Sequence, residues 1–413
     1  MLGATRILGN TVATIVSVLI PGLLGLWSLK PLLELLGTET FTLLSFFWVY
    51  TSHLGFFDLG ISRNLGIELP KLPNIEKSKL VNESVRKGLE YSILGIVVVA
   101  LLLLFVIPIF NPQFSVVSQY RVFAVLLVWV PMAVIQMIMR GVFEASESFI
   151  SAAVFRAYNQ SVLFLVPWVM ACWGHHDIFQ MVVVITVARS LSLLPAMYWL
   201  MRQYGLVLIK KIEDPVVVIH RNNQWITLSN LSGIVNGSLD RFVLLRLLGA
   251  QAIGAYVFAQ DFGIRILVLS SSFALVLLPF FSKNQSKLQN HIWVKRGSGL
   301  ILLSHIALGL ILFFGQTHLK HGFTNMPLAH DVIDFFWIFL LGITANGIGH
   351  ILLSALHSHR ELKRPALWHV ISAVLYIPLL YWVVQGFGLT GAALLWSVRS
   401  VIDTIVLYIL WRQ

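Results

Sequence analysis

The chain has 413 residues, 57% of them hydrophobic and 11% charged, with a mean hydropathy of +0.83. A soluble domain of this length could not hide that much apolar surface, so the composition excludes one and points to a polytopic helical membrane protein. The apolar runs are continuous rather than alternating, which argues against a β-barrel, and the formal charge of +11 informs mainly through where the basic residues lie.

Apolar runs long enough to cross about 30 Å of hydrocarbon at about 1.5 Å per residue predict twelve spans. They fall near 7–29, 40–62, 88–110, 120–141, 150–172, 178–200, 224–247, 252–281, 297–316, 332–355, 365–385 and 389–411. The first run follows a lone Arg6 with no small-residue cleavage site after it, so it is expected to be retained as a span and not removed as a signal peptide. Placing the N-terminus inside puts 21 basic residues on the inner side and 4 on the outer, with Arg189, Arg241, Arg265 and Arg399 within spans. That asymmetry predicts both termini in the cytoplasm.

The polar loop 201–223 divides the chain into an N-terminal set of six spans, 1–200, and a C-terminal set, 224–413. Leu36-Gly37-Thr38-Glu39-Thr40-Phe41 and Leu248-Gly249-Ala250-Gln251-Ala252-Ile253 echo each other 212 residues apart, as a duplication of six-span halves would place them. In span 1, Asn10, Thr14 and Ser17 share a helical face; in span 7, Ser229, Ser232, Asn236 and Asp240 do the same. These stripes are expected to line whatever the two halves enclose.

Charges within spans cost about 2.5–3.5 kcal/mol each on insertion scales and persist when they face a bundle interior or a wet cavity. Asp261 with Arg265, and Arg399 with Asp403, have one-turn spacing and can pair along a helix. Arg189 has no carboxylate within a turn, and the adjacent Asp240 and Arg241 point about 100° apart. Two readings stand: packed ion pairs that lock helices, or guanidinium groups lining a passage for an anionic group. Asp58, at the inner end of span 2 before Arg63, reads either as a cap or interfacial ion pair or as an ion-binding carboxylate.

Several chemistries are missing from the sequence. There is no phosphate-binding G-x-x-x-x-G-K-[ST], no H-E-x-x-H and no G-x-S-x-G. Cys172, His175, His176 and Asp177 are too crowded to surround one tetrahedral ion and read as an outer loop, so neither metal nor cofactor is expected. The basic inner loops lack interleaved aromatics and read as topology and anionic-lipid contacts, not nucleic-acid binding.

Phe57-Asp58-Leu59-Gly60-Ile61-Ser62, Arg140-Gly141-Val142-Phe143-Glu144 followed by Arg156, and Leu239-Asp240-Arg241-Phe242 followed by Gly254-Ala255-Tyr256 are short motifs. With them the chain resembles the Wzx-type polysaccharide flippases of the MOP exporter superfamily. The resemblance implies an all-α, MATE-like fold of twelve helices in two six-helix lobes around a central cavity, sited in the bacterial inner membrane. It also implies a non-enzymatic role: turning an oligosaccharide on undecaprenyl diphosphate from the cytoplasmic to the periplasmic leaflet by alternating access. Arg189, Arg241, Arg265 and Arg399 are the expected substrate cations, and Asp58, Asp240, Asp261 and Asp403 the expected carriers if a proton or sodium gradient drives transport. A polysaccharide polymerase and a chain-length regulator are implied partners. A cation-coupled multidrug exporter of the MATE type, and a membrane-embedded polymerase or glycosyltransferase, remain as alternatives.

Overall fold

The computed structural model describes residues 2–105, 116–205, 218–248, 253–283, 286–322 and 329–413. The chain divides into two compact units, 1–223 and 224–413, and the described residues are almost entirely helical.

In the first unit α1 spans Leu2–His53 and is broken at Gly37, whose φ of 75° and ψ of 167° suit only glycine. Its 52 residues, about 78 Å of helix, are long enough for two crossings. A 3-10 turn, Leu54–Asp58, leads into the short α2, Ile61–Glu68. Then come α3 (Asn74–Phe105), α4 (Val116–Ala145), α5 (Phe149–Cys172), α6 (Ile178–Leu191) and α7 (Leu193–Tyr204). Asp177 starts α6 by accepting from the Phe179 amide at 3.1 Å, so an N-cap closes the Cys172–Asp177 loop. Trp129 and Phe47 stack edge to face, 5.0 Å apart, in a core with Val130, Met181, Val182 and Ile185. A second cluster, with Ile61, Leu65, Val81, Ile138 and Met139, packs α2 and α3 onto α4.

The second unit holds most of α8 (Val218–Leu248), then α9 (Gly254–Lys283), α10 (Lys287–Gly322), α11 (Ala329–Ser358) and α12 (Lys363–Arg412). Gly388, with φ 57° and ψ −147°, breaks the 50-residue α12 into two halves. Its core joins α9, α11 and α12 through Tyr256, Phe339, Leu380 and Trp396.

Among the described residues, nine helical stretches are long and apolar enough to cross a membrane. The twelve expected spans differ from these in three ways. Segments 365–385 and 389–411 belong to one stretch, 363–412, while 40–62 and 224–247 are not among the nine. In 224–247 the cause is visible: Ser229, Ser232, Asn236, Asp240 and Arg241 dilute an otherwise apolar run.

Small residues set how closely these helices approach. A Cβ on Gly342 of α11 would lie 2.7 Å from the Ser397 Cα and from the Trp396 ring on α12, whereas one on Gly299 meets nothing within 4 Å. Gly342→Ala should therefore destabilise the purified protein by about 1–3 kcal/mol, seen as a lowered thermal unfolding midpoint, while Gly299→Ala leaves that midpoint near wild type.

Candidate functional site

In the first unit a polar site is built between α4, α5 and α6. Ala133, Gln136, Met137 and Arg140 recur at helical spacing along α4, and Phe155, Arg156, Asn159, Gln160 and Leu163 do so along α5. With Thr51, Gly55 and Arg189 they line a cavity of about 120 Å³. Arg189 is 7% exposed. Its Nη2 donates to Gln136 Oε1 at 2.7 Å, and its guanidinium lies 4.5 Å from the centre of the Trp129 ring. Gln136 Nε2 in turn donates to Asn159 Oδ1 at 2.9 Å, which also accepts from Ser192 Oγ at 3.0 Å. Trp129 is itself held, donating from Nε1 to Thr186 Oγ1 at 2.6 Å.

Among the described residues, no carboxylate lies within ion-pair distance of Arg189, and its Nε has no partner. Glu144 stands 3.3 Å from Arg140 Nε and 3.2 Å from Arg156 Nη2, and the buried Asp58 also lies within electrostatic reach of Arg140. The cavity lining thus carries three guanidinium groups and, among the described residues, no carboxylate, with Glu144 between Arg140 and Arg156 beside it. Arg63, outside the spans on α2, adds to this: desolvation lowers it to about 10 against the pull of Glu144, so it stays a cation at neutral pH.

In the second unit Asp240 is fully buried and surrounded by donors. It accepts from Tyr256 Oη at 2.6 Å, Gln260 Nε2 at 2.5 Å and the Arg241 amide at 2.9 Å. Gln260 also bridges onward, its Oε1 accepting from Arg241 Nε at 2.7 Å. Arg399 lies over the Tyr376 ring, 5.2 Å from its centre, and donates to the Asn236 carbonyl at 3.3 Å. Asp403, one turn on, accepts from Trp368 Nε1 at 2.7 Å and stands 3.5 Å from His369 Nε2. The His369 Nδ1 is 2.8 Å from Ser229 Oγ.

The remaining residues singled out from sequence fall in several environments. Arg189 belongs to the first unit; Arg241, Arg265 and Arg399 belong to the second. Arg265 is exposed on α9, and the side chain of Asp261 lies outside the described residues. Thr14 and Ser17 are buried and return their hydroxyls to the Asn10 and Thr14 carbonyls; Ser232 does the same to Leu228. Asn10 is half-buried, and Asn236 donates to the His369 carbonyl at 3.4 Å. Asp58 is buried and accepts from the Gly60 amide at 2.9 Å, the Ser62 amide at 3.2 Å and the Ser62 hydroxyl, a capping geometry at the entrance to α2.

Sequence reasoning missed four participants. The sequence places Arg140 and Arg156 in a short family motif without pointing to a cavity role for either, and it singles out neither Gln136 nor His369. The first pair had a signal: Gln136, Arg140 and Glu144 share one helical face. His369 had none, since its partners are 140 residues upstream and 34 downstream.

Three comparisons bear on this architecture. A family model described as "Polysaccharide biosynthesis protein" matches residues 7–285. A Shigella flexneri protein named as an O-antigen transporter is 23% identical, over 98% of this chain and 98% of that protein. Among solved structures, an outward-facing MATE multidrug transporter of the MOP superfamily superposes with a TM-score of 0.83 at 13% identity, covering 98% of this chain and 94% of that one. A Vibrio cholerae MATE transporter gives 0.75 at 16% identity, covering 99% and 96%. The fold is thus of the MATE type, and the chain is a multi-pass helical membrane protein.

Gln136 is the neutral acceptor that makes the burial of Arg189 tolerable. Gln136→Leu should cost about 1.5–3 kcal/mol of stability, read as a fall in the thermal midpoint of the purified protein, whereas Gln136→Glu, which offers a carboxylate, should keep it.

Proposed function

The chain belongs to the polysaccharide biosynthesis protein family, and from that premise we propose that it is a flippase for oligosaccharides carried on undecaprenyl diphosphate. It moves them from the cytoplasmic to the periplasmic leaflet of a bacterial inner membrane. The distribution of basic residues supports cytoplasmic termini. Movement of two lobes, 1–200 and 224–413, joined by the loop 201–223, gives access from one side of the membrane at a time. The polyprenyl chain stays in lipid while the headgroup crosses.

One observation carries the reading: the cavity of the first unit is lined by Arg140, Arg156 and the buried Arg189 and, among the described residues, by no carboxylate. A diphosphate diester carries about two negative charges near neutral pH and cannot enter hydrocarbon unaided. Under-neutralised guanidinium groups offer it bidentate hydrogen bonds. Arg241, Arg265 and Arg399 extend that role to the second lobe, and Asn10, Thr14, Ser17, Ser229, Ser232 and Asn236 line the route.

The MATE-type fold favours a drug exporter as the second reading. A cavity for cationic drugs needs excess carboxylate, whereas the cavity of the first unit is lined by three arginines and, among the described residues, by no carboxylate. Without a nucleotide site in the sequence, the drive is a proton or sodium gradient, with Asp58, Asp240, Asp261 or Asp403 as carriers, or removal of product by a polymerase acting with a chain-length regulator on the outer face.

Deletion of the gene should stop surface polysaccharide and leave lipid-linked repeat units on the inner leaflet; accumulation on the outer leaflet would instead indicate a polymerase. In the same assay Arg189→Ala, Arg241→Ala and Arg265→Ala should each reduce complementation about tenfold or more at unchanged membrane abundance, the loss of one charge-assisted contact. Full activity in all three would remove the cationic route.

A further inference from the structure

We propose that His369 is a proton-binding site, and that its occupancy decides whether Arg399 is available to an anionic substrate group. The first half of this proposal stands on geometry alone; the second rests on the flippase reading above.

His369 sits on the first half of α12, between Ser229 of α8 at Nδ1 and Asp403 of the second half of α12 at Nε2, at 2.8 and 3.5 Å. A serine hydroxyl both donates and accepts, so Ser229 satisfies Nδ1 whether or not that nitrogen carries a proton. The ring therefore keeps its place in both charge states. Neither side chain is fully enclosed by protein: those of His369 and Asp403 are 12% and 20% exposed. His369 lies six residues from Lys363, and Asp403 nine from Arg412, about 9 and 14 Å along the helix from a basic end.

The charges around the ring can be followed group by group. Asn236 from α8 donates to the His369 carbonyl, and Trp368 on its own helix donates to Asp403. α11 meets the second half of α12 where the Ala345 carbonyl accepts from Thr404. From the second half of α12 come Asp403 and Arg399. With His369 protonated, Asp403 has its own cation. Arg399 then contacts the Asn236 carbonyl and the faces of Tyr376 and Trp396, with Asp403 in electrostatic range but beyond ion-pair distance and Nε without a hydrogen-bond partner among the described residues. Once the proton leaves to water, Asp403 keeps its charge and loses its counterion. Arg399, one turn away on the same helix, becomes the cation that answers it. An anion and the Asp403 carboxylate thus compete for one guanidinium, and proton occupancy of His369 sets the winner. Linkage makes the effect reciprocal: an anion on Arg399 favours the proton on His369.

The full chain in lipid nanodiscs, with undecaprenyl diphosphate as the probe, tests this at pH 6 and pH 8. Wild type should bind about tenfold tighter at pH 6. His369→Gln, neutral at both pH values, should bind at the weaker level throughout. Asp403→Asn, isosteric and without the competing charge, should bind at the tighter level throughout, and the double variant should follow Asp403→Asn. Retention of the full pH dependence by His369→Gln, or weakened binding in Asp403→Asn, would overturn the linkage to Arg399. Independently of lipid, the imidazole ¹⁵N signal that disappears in His369→Gln should change with pH, and that response should be altered in Asp403→Asn. A signal that does not titrate overturns the proton site itself. If wild type binds no lipid at either pH, the transport reading and the Arg399 linkage fall together, while the titration still decides the proton site.

Discussion

A guanidinium group held in the interior of a membrane helix bundle without a carboxylate is the constraint from which the rest of this structure can be understood. Arg189 is tolerated because the protein replaces water with a neutral acceptor, Gln136, and an aromatic face, Trp129. Each of these is fixed by a further bond, to Asn159 and to Thr186. Such an arrangement leaves the positive charge uncancelled, where an ion pair would have neutralised it. The supporting bonds carry that cost across α4, α5 and α6, which ties the stability of the first unit to the presence of the charge.

The carboxylates divide by how fully their oxygens are occupied. Asp58 and Asp240 each accept from three donors, the first within one turn of chain and the second across α8 and α9. Such groups organise backbone and side chains, and displacing their donors to admit an ion is costly. Glu144 is divided between Arg140 and Arg156. Asp403 differs, because one of its two partners is a histidine whose charge depends on pH. The charge beside it can therefore change while its bond to Trp368 is kept.

Helix breaks follow the same economy of local causes. Gly37 and Gly388 adopt backbone angles that a Cβ forbids, and each falls where a run of about fifty residues exceeds what a single crossing needs. Close contacts elsewhere, such as Gly342 against Ser397, let helices approach until side chains such as Trp396 and Phe339 fill the core.

The sequence by itself determined the class of molecule, since 57% hydrophobic residues in long continuous runs leave helical membrane spans as the available solution. It also exposed the charges within spans, because a charge in an apolar run stands out without any knowledge of its neighbours. Only the tertiary structure decided which of those charges are answered and by whom. Helical spacing suggested Arg399 as the partner of Asp403, but the carboxylate is bonded to Trp368 and faces His369, and Arg399 turns to the Asn236 carbonyl. Gln260, an uncharged residue, links Asp240 to Arg241. The reason is physical: periodicity reports which side chains share a face of one helix, whereas a buried charge takes its partners from whichever helices pack against it, and those contacts join residues too far apart in the chain for any spacing rule to reach.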